Sequence, residues 1–359
     1  MHLISNNPYR VLGVLADATV REIIRQANTI KKFLTAGQAP PLDYSFLALG
    51  NLNRSIESVD VAVAKLNLDA DKMTAALFWF YKGNDITDEP AFDALKTGDI
   101  DSALQIWDKQ LFTETKENGS RYWNPISEKN YFAFHNYFVA SLLSNNSAKI
   151  SNAISAQLKF LESHFCASFV AKITDRTFKT TTKELQLTFL NEILKEIEQK
   201  TINLTLVKLV SILNNNYLVK QDFIKNISRK FTGKITGEIE IACKSRVNKA
   251  NAAKAGDILY NQTKDDLEQL KIILGVQDYA CFNIADKLAN EILQCGIDYF
   301  EHFKDTDTDP CEHSMKLFIL ADSMAVGNVA KQSCQKNIMN LHQWNNKKKN
   351  ILNRLFKIA

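Results

Sequence analysis

The side chains with the most chemistry to offer gather near the C-terminal end of this sequence: Cys295, His302, Cys311, His313 and Cys334, around the acidic stretch "KDTDTDPCE" at 304–312. Calcium is the first chemistry to ask of them. Asp305, Asp307 and Asp309 match the first, third and fifth positions of an EF-hand loop. That loop also needs glycine at the sixth position for its sharp turn and glutamate at the twelfth for two further oxygens. Here those positions hold Pro310 and Lys316, so the stretch reads as an acidic turn between helices. Zinc is the second. Zinc sites draw on tight local pairs such as C-x-x-C or H-x-x-x-H. Only Cys311 and His313 are close, the others belong to separate segments, and Cys295 sits on an apolar helix face. No metal is expected.

Nucleotide and nucleophile chemistry fare no better. "GKITG" at 233–237 pairs glycine with lysine, but a phosphate-cradling loop needs another glycine five residues upstream and Ser or Thr after the lysine. Ser228 and Ile235 stand there. No strand precedes a Gly-rich turn, which removes a dinucleotide fold. Neither a G-x-S-x-G elbow nor a family cysteine signature occurs. The expectation is a chain with no catalytic residues and no cofactor, not an enzyme.

A better organised set of side chains lies near the front, in "REIIRQANTIKKFLTAG" at 21–37. With Arg21 at zero and a helical advance of about 100° per residue, Arg25 falls near 40° and Lys32 near 20°. Ile23, Ala27, Ile30 and Leu34 fall between roughly 180° and 240°, so one face is cationic and the opposite face apolar. Gly37 ends this helix and Pro40-Pro41 prevent its resumption. A second helix follows in "RSIESVDVAVAKLNLDADKMTAALFWF" at 54–80, with Ile56, Val59, Val63 and Leu66 apolar and Asp69 placed to cap the next turn.

The turn "NPYRVLGV" at 7–14, the basic helix, a loop, the second helix and the "LDADK" segment resemble the front of a J-domain. That resemblance covers residues 7–80. It implies a helical pair flanking a loop, and a DnaK-type heat-shock chaperone as partner, docked on Arg21, Arg25 and Lys32. In the family a His-Pro-Asp tripeptide in that loop triggers the chaperone's ATP hydrolysis. Here "GQAPPLDYSFLALGNLNR" at 37–54 holds Pro41-Leu42-Asp43, and no histidine occurs between residues 3 and 134. The resemblance therefore implies docking without stimulation.

The remaining elements read as helices. "FDALKTGDIDSALQIWDK" at 92–109 resembles one tetratricopeptide-type hairpin, turning at Gly98 and knitted by Ala94, Leu95, Ala103, Leu104 and Trp107; no second copy follows. "KENGSRYWNP" at 116–125 reads as a surface loop. Further helices follow to about 250, with the polar "KITDRTFKTTTK" at 172–183 as a candidate hinge. Behind them, "GEIEIACKSRVNKANAAKAGDILYNQTKDDLEQLKIILG" reads as one long helix broken near Lys264. "DYACFNIADKLANEILQCGIDYFEHF" reads as another of about 25 residues with Phe282, Ala285, Leu288, Ile292, Cys295 and Tyr299 inward, followed by "CEHSMKLFILADSMAVG". Last comes a basic helix with Lys347–Lys349 and an apolar stripe of Ile351, Leu352, Leu355 and Phe356, suited to an anionic membrane surface, to a partner groove or to folding back on its own domain.

Composition agrees with this helical reading. Twelve Gly and six Pro in 359 residues are too few turn-formers for a β-rich fold. A net charge of +4 is too mild to argue for nucleic acid. The six scattered cysteines read as reduced thiols, no signal peptide opens the chain, and no apolar run is long enough to span a membrane, so a cytoplasmic protein is expected. The sequence thus predicts an all-α protein with a J-domain-like module at 1–85, an α-solenoid-like region of TPR-like hairpins at 86–231 and an antiparallel helical bundle at 232–359. Its expected function is a protein–protein adaptor resembling a co-chaperone. A structural subunit of a larger bacterial assembly and an enzyme of unrecognised type are the alternatives.

Overall fold

Local signals fix many of the helix ends. Thr19, Ser55 and Thr181 each cap a helix in a reciprocal box: the hydroxyl accepts the backbone N–H three residues on, and that residue's side chain accepts the cap's own N–H. Gly13 and Gly98 close helices in the left-handed region at φ of 66° and 92°, where a side chain would be strained. In a computed structural model of the chain, residues 2–115, 120–144, 146–175, 177–213, 217 and 219–355 are described, the side chains of His2 and of 349–355 excepted. The described residues are mostly helical, with seventeen α-helices and one two-stranded sheet. None of these helices is long and apolar enough to cross a membrane.

The chain divides into two compact units, 1–220 and 221–359. The first begins with α1 (His2–Ser5), α2 (Pro8–Leu12), α3 (Val20–Thr35), α4 (Ile56–Leu66) and α5 (Asp69–Ala76). The hairpin α6 (Asp85–Thr97) and α7 (Ile100–Leu111) follows. Next come β1 (Phe112–Glu114) and β2 (Arg121–Trp123), then α8 (Tyr131–Ser141), α9 (Ser147–Glu162), α10 (Phe165–Ile173), α11 (Thr182–Glu198) and α12 (Leu206–Ile212). The strands pair antiparallel with Phe112 opposite Trp123, so the predicted surface loop has a sheet at its base; its residues 116–119 lie outside the described ones. Asp69 opens α5 as a first-turn acid rather than capping it; Leu68 holds the cap position and makes no side-chain cap bond.

Residues 77–81, "LFWFY", explain why the sequence boundary at 85 is not a boundary of the structure. All five side chains are buried in a non-helical passage. Phe80 meets Phe46, Phe92 and Trp107, while Phe78 meets Phe138 and Phe189, so rings from the front region, the hairpin, α8 and α11 share one core. A buried backbone outside regular structure must find partners among side chains. Asn136 accepts the Tyr81 N–H and donates to its carbonyl, His135 bonds the Trp79 carbonyl, and Asp88 accepts the N–H groups of Gly83 and Asn84. The polar residues of α8 are buried because this passage needs them. The polar segment at 172–183, expected as a hinge, instead joins α10 to α11 within the first unit.

The second unit contains α13 (Val219–Ser245) from residue 221 onward, α14 (Ala252–Leu274), α15 (Tyr279–Phe303), α16 (Cys311–Met324) and α17 (Asn328–Leu355). The break expected near Lys264 lies at 246–251 instead. There Arg246 leaves the helical path to bind two carboxylates of α15, Glu291 at 2.5 Å and Asp298 at 2.8 Å. Gly256 and Gly296 permit close packing, since a Cβ at either would press on Leu317 or Phe318 of α16. Ala285, Leu288, Ile292, Cys295 and Tyr299 face the core as the spacing predicts, but Phe282 is 37% exposed beside Gly327. The basic C-terminal segment is the end of α17, and the apolar stripe expected at 351–356 lies outside the described side chains.

Candidate functional site

The turn, the basic helix and the loop that follows form one corner of the first unit, and buried and half-buried polar side chains hold that corner. Asn7 caps α2 by accepting the Tyr9 N–H, and its amide donates to the carbonyls of Leu3 and Ala75. Arg10, 2% exposed, donates to the carbonyls of Ser5, Ser45, Leu49 and Gly50. Arg54 donates to the carbonyls of Val11, Pro41 and Arg10 and to the Ser45 hydroxyl. Among the described residues neither guanidinium has a carboxylate partner within hydrogen-bonding distance. Burial therefore lowers both pKa values, and Arg54's charge lowers Arg10 further, although guanidinium stays protonated. The planar five-donor fork suits this work, since it reaches several carbonyls at once.

These two arginines bind the loop at 37–54 that joins α3 to α4. It folds as two short 3-10 turns, Asp43–Ser45 and Leu47–Leu49, with Phe46 driven into the core at φ 48°. Positive φ at a non-glycine residue is strained and persists where surrounding contacts over-determine it. Phe46 packs on Trp79, Phe80 and Phe92, which supplies those contacts.

Arg21, Arg25 and Lys32 stand where the helical spacing places them. All three are exposed on α3, and none makes an ion pair within 4 Å among the described residues. Lys31, next to Lys32, behaves differently: it pairs with Asp60 of α4. Inward from the stripe, Ile23, Ala27 and Ile30 are buried.

Beside the stripe the corner encloses a cleft of about 740 Å³, walled by the Gly13–Leu15 turn, Asp17, Glu22, Arg25 and Gln26 on one side and by Leu42–Tyr44, Leu47, Lys82 and Lys96 on the other. Of the three predicted side chains it takes only Arg25; Arg21 and Lys32 lie along the ridge outside it. Gln26 donates to Asp43 at 2.5 Å across the rim. Lys82 is spent on Asp85 and Glu89, and Lys96 pairs with Asp93 while lying 5.1 Å over the Tyr44 ring. Burial pushes the Asp17 carboxyl up, against its own and the Lys82 backbone N–H, and one of its oxygens has no partner. Glu22 goes the other way, lowered by the N–H and hydroxyl of Thr19 that it accepts. The cleft lining combines apolar side chains with the charged groups of Asp17, Glu22, Arg25, Asp43, Lys82 and Lys96. Its residues come from four separate stretches, and the exposed leucines of the 37–54 loop are the one sequence signal that could have pointed to it.

Elsewhere, Cys295 is buried with its thiol pushed up to about 12 by burial, and no group of three His, Cys, Asp or Glu among the described residues could hold a metal ion. Compared with known proteins, the chain matches no family model, no curated protein and no solved structure.

Proposed function

We propose that this protein is a docking adaptor that resembles a co-chaperone and engages its partner through Arg21, Arg25 and Lys32. One observation carries the reading: among the described residues, three cations stand exposed along one ridge of α3 with no ion pair within 4 Å, while the neighbouring Lys31 pairs with Asp60. Exposed cations spaced along a helix give an approaching anionic surface a steering potential and a register. The J-domain resemblance of residues 7–80 names a DnaK-type heat-shock chaperone as the partner to test. In place of His-Pro-Asp the intervening loop carries Pro41-Leu42-Asp43, held down by Arg10 and Arg54. The adaptor is therefore expected to hold such a chaperone without accelerating its ATP hydrolysis.

The test is a binding measurement with a purified DnaK-type chaperone, paired with its steady-state ATPase rate. The wild-type chain should bind with affinity that falls as salt rises, and leave the rate unchanged. Reversing all three charges (Arg21→Glu, Arg25→Glu, Lys32→Glu) should abolish binding while leaving the thermal unfolding curve in place. Unchanged binding by the triple variant would discard this reading.

A further inference from the structure

We infer that the cleft beside α3 is the second half of the docking surface, taking a bulky apolar side chain from an acidic segment of the partner whose carboxylates lie on the Arg21–Arg25–Lys32 ridge. This rests on the docking reading above and adds a specificity pocket to it. The first argument is continuity. Arg25 belongs both to the ridge and to the cleft wall, so a segment held by the ridge passes directly over the cleft mouth. On α3, Glu22 and Gln26 project to the cleft side of the ridge, near ~100° and ~140° from Arg21, so ridge and cleft are adjacent faces of one helix.

The second argument is the distribution of apolar side chains. Val20 and Ile24 of α3 and Leu42 and Leu47 of the loop that follows it are exposed large apolar side chains. Scattered exposed apolar residues are ordinary, but ones that line a cleft beside a charged ridge offer apolar surface to a partner. Leu42 and Leu47 are 50% and 54% exposed, and both line the cleft with Val14, Leu15 and Ala18. The third argument concerns which charges are available there. Lys82 and Lys96 are already paired, and Asp17, Glu22 and Asp43 also line the cleft, so an incoming carboxylate is left with Arg25, which makes no ion pair within 4 Å among the described residues although its charge acts on Glu22. Binding energy inside the cleft must then come from burying apolar surface, with the partner's charge placed outside on the ridge. The clamped loop presents its leucines in a fixed position, which lowers the ordering cost of binding.

Two fluorescein-labelled twelve-residue peptides test this with the full chain: one of glutamates with a central leucine, the other with alanine at that place. Fluorescence anisotropy should show the leucine peptide binding about tenfold more tightly. Leu47→Ser should abolish that difference and leave the alanine peptide's affinity unchanged. Leu42→Ser should do the same, which guards against one variant failing to fold. Equal binding of the two peptides to the wild type, both lost on reversing the ridge charges, would overturn the pocket and leave the docking ridge standing. No binding by either peptide would overturn both.

Discussion

At the scale of single residues, the first unit is notable for polar groups buried without counter-charges, and two of them yield predictions. His135 is fully buried and bonds the Trp79 carbonyl at 2.7 Å through Nε2 and the Gln157 side chain at 3.1 Å through Nδ1. Burial lowers its pKa, so the ring is neutral. A neutral ring that gives its Nε2 proton to the carbonyl has only a lone pair at Nδ1, so Gln157 must turn its amide N–H₂ toward it. As pH falls through about 6.5 the unfolded histidine takes up a proton that the folded one refuses. Stability should therefore drop by up to about 1.4 kcal/mol per pH unit below that point. Asp88 acts in the opposite sense, because burial raises its pKa and the folded state takes its proton first as pH falls. Urea midpoints measured from pH 7.5 to 5.5 should separate the two: the acid-side loss seen in wild type should vanish in His135→Gln, and its persistence there would assign the slope elsewhere. Arg54 gives the second prediction. Removing it takes the donor from the half-buried carbonyls of Val11 and Pro41, while the Arg10 carbonyl keeps the Gly13 N–H and the Ser45 hydroxyl, so Arg54→Ala should cost about 2 kcal/mol by urea denaturation. Arg54→Lys should recover little of this, because a single ammonium cannot span acceptors that a planar fork reaches.

At the scale of elements, what the sequence reveals depends on whether the cause is local. The turn between α6 and α7 is legible because a glycine and two aspartates carry it. Gly98 sits at φ 92°, and Asp99 accepts the Ser102 N–H. A methyl group at Gly98 would meet nothing within 4 Å, so Gly98→Ala tests backbone strain alone. It should cost about 1–2 kcal/mol, and Gly98→Asn less, as read from thermal unfolding. The basic ridge is legible for the same kind of reason, because helical spacing alone puts Arg21, Arg25 and Lys32 together. The cleft is not legible. Its far wall is a segment whose path is set by Arg10 and Arg54 reaching across ~35–45 residues to carbonyls, and carbonyls have no signature in a sequence. The end of α13 fails for a related reason. The chain turns at Arg246 because Glu291 and Asp298 wait about fifty positions later, and no local breaker announces it.

At the scale of the whole molecule, the division into two units predicts how the chain comes apart. Each unit has its own network of buried polar groups: Asp88, His135 and Asn136 around the aromatic passage in the first, and Arg246 with Glu291 and Asp298 in the second. Gln294 adds a donor to Asp298 at 3.1 Å, so the second network is nearly satisfied as long as the arginine is present. Arg246→Ala would leave two carboxylates, with side chains only 9% and 11% exposed, without their cation. Breaking a buried pair from one side costs about 3–5 kcal/mol, because the remaining charge stays buried. That loss should be confined to the second unit. Native-state hydrogen exchange should show amides of α14 and α15 losing protection while those of α8 keep theirs, and His135→Gln should do the reverse. The double variant should then show the sum of the two separate losses, since sites with no shared partners add. If Arg246→Ala instead lowered protection in α8 as much as in α15, the two units would have to unfold as one.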